Sequence, residues 1–490
     1  MSITMLFSSI FFISVFLPTV LLLYYLCPSG KRNYVLLLSS CFFYVWGDAE
    51  FLWVMLLSIL INYTGALALS GFSTPPSPPS IGGIPRQTVR KYLLILFVVL
   101  DLLPLLYFKY FNFTMRNLSA CFGFDYRIRE IILPLGISFY TFQGLSYLVD
   151  VYRQDVAAQK DPLKLALYIM FFPQLIAGPI LKYHEVERQI ENRQETADHF
   201  IYGIRRFALG LGKKVIIANS MGYVADLIFF TPADMVGTSM AWGGAVAYSL
   251  QLFYDFSGYS DMAIGLGAMF GFHFPENFNY PYVSLSVTEF WRRWHISLST
   301  WFKEYLYIPL GGNRVSKPRN LLNLLIVFAA TGFWHGAAWT FIAWGLFHGF
   351  LILFEKISGF NKPGDTFLSR LLHRLYLLFV VVIAWVIFRS ESLHDAFLFL
   401  RNMFCLLKND PLHPASFYFS KWELLILAIA LVLATGVFRN LNEKTLRFEP
   451  DSSAQKLCFV LFNAFCLFVL FISLVLLAGN SYNPFIYFRF

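Results

Sequence analysis

Long apolar runs separated by short charged breaks dominate the chain. Met1–Gly30 contains no Asp, Glu, Lys or Arg, and neither does Leu457–Phe488. Each exceeds the roughly 20 apolar residues that carry a helix across a hydrocarbon core of about 30 Å. Windows of the same kind predict spans near 5–27, 33–47, 51–69, 92–108, 164–181, 241–267, 320–353, 375–388, 422–438 and 457–479. The pattern predicts an all-α polytopic membrane protein with about 10–13 transmembrane and re-entrant helices in a single membrane-embedded domain, residues 1–490. The first apolar stretch is too long for a signal-peptide core and lacks a basic leader, so it reads as a retained span.

Two windows are interrupted. Leu133–Tyr140 opens on Pro134 and is followed by Thr141, Gln143 and Gly144, while Phe171–Ile180 holds Pro173, Gly178 and Pro179. Broken backbone at membrane depth survives only where protein or a water-filled cavity covers it, so these segments predict an internal cavity. Lys31 and Arg32 after the first span, and Arg86, Arg90 and Lys91 after the third, place the N-terminus outside by the positive-inside rule. The rule falters at Lys109, Arg116, Arg127 and Arg129, where a basic stretch falls on the expected external side; a re-entrant segment or a missed span would explain it.

Between the spans, the Ser/Pro/Gly-rich stretch at 72–85 reads as a flexible tether. Residues 184–214 mix charge with regularly spaced apolar positions, which predicts helices lying at the cytoplasmic interface, and 389–421 reads as an extramembrane loop. No fixed-period repeat and no soluble domain able to fold alone is evident.

Composition sharpens the class. Only 14% of the 490 residues are charged and 57% are hydrophobic, against about 25% charged in soluble proteins. That excludes a soluble globular enzyme, a disordered chain and a disulfide-stapled scaffold. The balance of 38 basic over 29 acidic residues is read as cytoplasmic loop bias rather than nucleic-acid binding. The six cysteines form no C-x-x-C pair, so no disulfide framework or metal site is expected.

Three passages could carry chemistry. Glu289–Arg314 crowds Arg292, Arg293, Lys303 and Arg314 among Trp291, Trp294 and Trp301 and ends in a Pro-Leu-Gly-Gly turn before Asn313. Its cations suit the phosphates of a donor; equally, they suit an interfacial helix whose cations snorkel and whose tryptophans anchor. Ala330–Gly349 sets His335 beside Trp334 in a window with no Asp, Glu, Lys or Arg between Arg319 and Glu355. A histidine at that depth is a functional candidate, because its ordinary pKa of about 6.5 suits proton abstraction from a hydroxyl; a neutral structural histidine is the competing reading. Gln251–Asp261 buries Asp255 and Asp261 six residues apart, off a shared helical face, which favours structural roles.

The strings LPLGISFYTFQGLSYLVDVYR (133–153), PQLIAGPI (173–180), YDFSGYSDMAIGLGAMFGFHFPENFNYPY (254–282), FWRRWHISLSTWFKEYLYIPLGGNR (290–314), FWHGAAWTFIAWGLFHG (333–349) and WVIFRSES (385–392) run in series over much of the chain. In them the sequence closely resembles the membrane-bound O-acyltransferase family, in its bacterial alginate and peptidoglycan O-acetyltransferase branch. The resemblance implies helices around a central channel, with His335 at the hallmark histidine position and His295 at the second functional one. It implies a cytosolic thioester donor, acetyl-CoA or an acylated carrier protein, with no bound cofactor and no metal. The acceptor would be a hydroxyl of an extracytoplasmic glycan, reached from the bacterial inner membrane with a separate SGNH-type partner. Arg292, Arg293, Lys303 and Arg314 would serve the donor, with Trp294, Asn313, Trp334 and Asp255 as further binding candidates. D-alanyl transfer from a carrier protein is the alternative within the family. A transporter or proton relay is the alternative outside it, and it predicts an internal repeat that the chain lacks.

Overall fold

The computed structural model describes residues 5–71, 80–81, 84–408, 410–437, 453–479 and 482–484. Among these the chain is helical, apart from an antiparallel pairing of Ser80–Ile81 with Ile84–Pro85. The rest of the tether expected at 72–85 lies outside the described residues. Among the described residues, five stretches are long and apolar enough to cross a membrane: Ser29–Gly71, Arg86–Phe122, Trp339–Ser358, Phe367–Arg389 and Lys456–Gly479. The protein is a multi-pass, all-α membrane protein, and its contacts divide it into two compact units.

The first unit comprises residues 1–196 and 270–274. It contains α1 (Leu17–Leu26), α2 (Arg32–Asp48), α3 (Leu52–Gly71), α4 (Arg86–Leu105), α5 (Phe111–Phe122), α6 (Ile137–Arg153), α7 (Pro162–Met170), α8 (Phe172–Leu175) and α9 (Tyr183–Glu191). The interrupted windows are broken where their sequence requires it. Gly136 takes a left-handed φ of 73° immediately before α6, and the chain leaves α7 at Phe171 before restarting with Pro173 in the first turn of α8. The basic stretch after the fourth span begins on a continuation of α4 and ends, at Arg127 and Arg129, in a non-helical segment. The helix continues from α4 through a π turn, Leu106–Tyr110, into α5, and Lys109 on that turn bonds Ser138.

The second unit is built around α12 (Thr238–Met269), a 32-residue helix buried along most of its length. Against it lie α10 (Ala197–Gly212) and α11 (Asn219–Phe230), joined by a π turn at Lys213–Ala218 into one continuous helix. The segment expected at 184–214 to lie at the interface is, from residue 197 on, a helix packed on α12, and charge ties it there. Arg206 and Lys213 both reach Asp261, and Lys214 pairs with Asp255 at 2.8 Å with both side chains about 1% exposed. Three of the segment's cations thus meet carboxylates of α12, while Arg205 bonds Asn463. Glycines permit the approach: a Cβ on Gly265 would lie 2.6 Å from the Gly203 carbonyl oxygen, and one on Gly258 would lie 2.7 Å from that of Gly210. Backbone meets backbone at both levels, as in small-residue packing between membrane helices.

The unit continues through α13 (Val287–Arg293), α14 (Ile296–Phe302), α15 (Lys317–His335), α16 (Trp339–Ser358), α17 (Phe367–Arg389), α18 (Leu393–Phe404), α19 (Ala415–Tyr418), α20 (Lys421–Ala434) and a last described helix, Ser453–Gly479. The single span expected at 320–353 is two antiparallel helices, because the chain turns extended at Gly336 (φ −170°) and Ala338 (φ −147°). The segment expected as a loop at 389–421 contains α18, which buries Phe399 with its ring stacked 4.1 Å from Phe229.

Replacing Gly265 or Gly203 by alanine is expected to destabilise the protein by about 1–3 kcal/mol, since backbone must shift to admit one methyl group. Gly30→Ala, where nothing lies within 4 Å of the added carbon, should leave the unfolding midpoint unchanged. Thermal unfolding in detergent compares the three, and equal midpoints would contradict the backbone-contact account.

Candidate active site

Two chain breaks in the second unit present histidines. His335 is the last residue of α15, and it stays at the turn because Gly332 and Gly336 let α16 approach: a Cβ on Gly332 would lie 2.3 Å from the Phe341 carbonyl oxygen, and one on Gly336 would fall 2.1 Å from the Phe341 ring. His295 sits between α13 and α14 in a left-handed conformation, φ 43° and ψ 57°. For a residue with a side chain that geometry costs about 1–2 kcal/mol, and such outliers concentrate at functional sites.

Asn277 holds His295 in place. Its Oδ1 lies 3.2 Å from His295 Nδ1 and accepts from Ser297 N at 3.1 Å and Ser297 Oγ at 2.9 Å, while its backbone carbonyl accepts from Ile296 N at 3.0 Å. An amide oxygen only accepts, so Nδ1 carries the proton and Nε2 keeps the lone pair of the neutral ring. His295 is 1% exposed, and burial pushes its pKa down to about 3. It is therefore a neutral imidazole at working pH, with a defined tautomer.

Both imidazoles meet the same indole. The Trp334 ring lies 6.2 Å from that of His295 and 5.0 Å from that of His335. Around His335 the enclosure is completed by Trp344 at 5.0 Å and Phe388 at 5.3 Å, and Trp344 continues the cluster to Trp291, Trp385 and His348. A wholly buried carboxylate ties these segments together. Glu355, on α16, accepts from the backbone N–H groups of Val287 at 2.5 Å and Thr288 at 2.9 Å, and from the Thr288 hydroxyl at 2.7 Å. The helix that leads into His295 thus starts on the helix that follows His335, with an anion at its positive end.

The other expected residues scatter. Trp294 is core, stacked on Phe290 and close to Trp385. Asp255 is in the buried pair with Lys214. Arg293 is bound to Glu289 at 2.7 Å, whereas Arg292, Lys303 and Arg314 are exposed. Asn313 is an exposed turn residue whose Oδ1 accepts from Tyr307 and Asn320. Sequence reasoning missed Asn277, Glu355, Trp344 and His348. Asn277 precedes its histidine by 18 residues, too far for any helical periodicity to connect them. No group of three or more His, Cys, Asp or Glu suited to a metal ion occurs among the described residues.

Comparison with known proteins fits this geometry. The sequence pattern of the membrane-bound O-acyltransferase family matches residues 103–394, which include both histidines. The chain is 44% identical over 404 residues to the probable alginate O-acetylase AlgI of Azotobacter vinelandii, covering 82% of this chain and 78% of that one. It is 38% identical to the protein of the same name from Pseudomonas putida, over 99% of this chain and 100% of the other. It is 36% identical to the peptidoglycan O-acetyltransferase of Helicobacter pylori, over 81% of this chain and 80% of the other. With two buried imidazoles inside the matched stretch of a multi-pass membrane protein, the chain belongs to the membrane-bound O-acyltransferase family and is an O-acyltransferase.

Proposed function

We propose that this enzyme moves an acetyl group from a cytosolic thioester, acetyl-CoA or an acylated carrier protein, to a hydroxyl of an extracytoplasmic polysaccharide. It would act in the inner membrane of a bacterium, with a separate SGNH-type protein completing delivery to the polymer. The observation that carries this reading is the convergence of His295 and His335 on Trp334. The names of the relatives, which O-acetylate alginate or peptidoglycan, support acetyl as the group and a secreted glycan as the acceptor.

In this mechanism His335 takes the proton of the acceptor hydroxyl as its oxygen attacks the thioester carbonyl. The tetrahedral adduct collapses, the C–S bond breaks, and the imidazolium returns its proton to the departing thiolate. His295, oriented by Asn277, accepts through Nε2 from a neighbouring hydroxyl of the acceptor and so positions it. The aromatic enclosure keeps competing water from the thioester. Arg292, Lys303 and Arg314, exposed on the segment that follows His295 or adjoins it, would meet donor phosphates or an acidic carrier. A second reading exchanges the two histidines, and the Asn277 contact favours it, because an oriented base is what His295 already is.

Transfer of labelled acetyl from acetyl-CoA by the purified protein in nanodiscs tests the assignment. His335→Ala should lower kcat by about 10²–10⁴-fold as the loss of a general base, and His295→Ala by about 10²-fold as a loss of positioning. Label transfer retained by His335→Ala would sink the general-base assignment, and a larger loss in His295→Ala would establish the exchanged roles. Wild-type turnover only with a D-alanyl carrier protein would replace the acetyl reading.

Asn277→Asp places a carboxylate against His295 Nδ1, which favours the imidazolium and raises the ring's pKa from its depressed position. Protonation removes the Nε2 lone pair, so this variant should lose activity as pH falls from about 8 to 5 while the wild type, with His295 neutral throughout, does not lose it at that ring. Identical pH–rate profiles would remove His295 from the reaction.

A further inference from the structure

Three helices of the second unit meet at one end. The Lys356 ammonium, in the last turn of α16, donates to Asn320 Oδ1 in the first turn of α15. Beyond α16 the chain folds back on α17. The Phe360 ring stacks on His373 at 4.3 Å and lies 6.0 Å from Phe354 and 5.0 Å from Tyr376. The His373 ring bridges two backbone oxygens, with Nδ1 2.8 Å from that of Ser369 and Nε2 3.0 Å from that of Phe360. The loop 359–366 is thereby pinned on the opening turns of α17, beside the last turn of α16.

This end is strongly basic. Between residues 317 and 374 the cations are Lys317, Arg319, Lys356, Lys362, Arg370 and Arg374, and all six are exposed. The two carboxylates of the same stretch do not balance them. Glu355 is wholly buried and caps α13, while the fully exposed Asp365 reaches Arg370 at 3.8 Å. Among the described residues no carboxylate lies within ion-pairing distance of Lys317, Arg319, Lys362 or Arg374.

The surface beside these cations is apolar. At 3.6 residues per turn, Phe367, Leu371, Leu375, Leu368 and Leu372 fall within one sector of about 140° on α17, and Arg370 and Arg374 flank its edge. All five apolar residues are exposed, Phe367 to 81%. On α16 a second exposed stripe, Phe350, Phe354 and Ile357, runs to the turn that carries Lys356. Both helices are long and apolar enough to cross a membrane, so acyl chains cover the stripes and the cations stand at headgroup level. An acidic soluble protein or a free phosphate would satisfy the cations alone. A phospholipid with a negative headgroup satisfies cations and stripes together.

We propose that this end of α15, α16 and α17 binds an anionic phospholipid. Arg370 and Arg374, with Lys356 and Lys362, hold the headgroup phosphate, and the acyl chains lie along Phe367, Leu371 and Leu375. The guanidinium groups suit a phosphate because each can donate two parallel hydrogen bonds to it. His335 is at the other end of α15, about 27 Å along the helix axis from Lys317, so the lipid site stands apart from the reaction proposed above and does not rest on it.

Native mass spectrometry of the full chain in detergent, with phosphatidylglycerol or zwitterionic phosphatidylcholine added at equal concentration, tests the site. One phosphatidylglycerol per chain should be retained saturably, and phosphatidylcholine far more weakly. Arg370→Gln and Arg374→Gln should each weaken phosphatidylglycerol binding about fivefold, and the double variant roughly 25-fold. Arg116→Gln, which removes an exposed cation from α5, should change nothing. Equal retention of the two lipids overturns the proposal, as does wild-type binding by the double variant. A loss in Arg116→Gln as large as in Arg370→Gln overturns it in favour of diffuse charge, and displacement of the lipid by millimolar inorganic phosphate in favour of a plain anion site. Binding of an acidic carrier protein, lost in the double variant while neither lipid is retained, overturns it in favour of protein docking. The wild type alone supplies a second measurement. Its unfolding midpoint should be several degrees higher in nanodiscs containing phosphatidylglycerol than in phosphatidylcholine alone, as for any ligand held by the folded state, and equal midpoints overturn the site.

Discussion

A single buried carboxylate holds the histidine-bearing segments together. Glu355 sits on α16, one hairpin turn beyond His335, and receives the first N–H groups of α13, the helix that delivers His295. Those N–H groups have no partner within their own helix and would otherwise be left unsatisfied in a region without water. A carboxylate with two backbone donors and a hydroxyl is itself satisfied in return. Because α13 and α14 are only seven residues each, neither has length enough to fix its own position. The capping contact and the Asn277 bonds supply what helix length cannot.

The same constraint explains how α10 and the π turn after it carry three cations against the most buried helix of the unit. These charges find their opposites inside, where α12 provides Asp255 and Asp261 at positions facing Lys214 and Arg206 with Lys213. A buried pair is not in itself a large source of stability, since desolvation offsets most of the attraction. Its effect is on register: sliding α10 along α12 would leave charges unpaired and would also press the glycine contacts, 203 on 265 and 210 on 258, into side chains. Charge and shape therefore select the same alignment, which keeps α12 and the Asn277 loop after it at a fixed place relative to α14.

How much of this could be read from the sequence follows from the range of each interaction. Charge-free runs announced most of the apolar helices, and Pro and Gly at membrane depth announced the breaks at Gly136 and Phe171, because both signals are local. His335 stood out as an ionisable group in a charge-free window beside Trp334, whereas His295 was marked only by the resemblance to the family. The continuous helix 197–230 was hidden because its cations look exposed until Asp255 and Asp261, some 40 to 60 residues away, are brought beside them. The division of 320–353 was hidden for another reason: Gly336, Ala337 and Ala338 are compatible with a helix, and only the pressure of Phe341 on Gly332 and Gly336 decides for a turn. Asn277 and Glu355 act on partners 18 and about 68 residues distant, so no local pattern marks them.

What the fold does for chemistry is to make the two imidazoles different. His295 has a polar anchor on Nδ1, a fixed tautomer and nearly complete burial. His335 is held among Trp334, Trp344 and Phe388, with somewhat greater exposure, 8%. A hydrogen-bonded anchor fixes one tautomer in advance, whichever role the ring takes in the proposed mechanism. The backbone itself enforces the difference in setting between the two rings, through a left-handed residue at 295 and a helix end at 335.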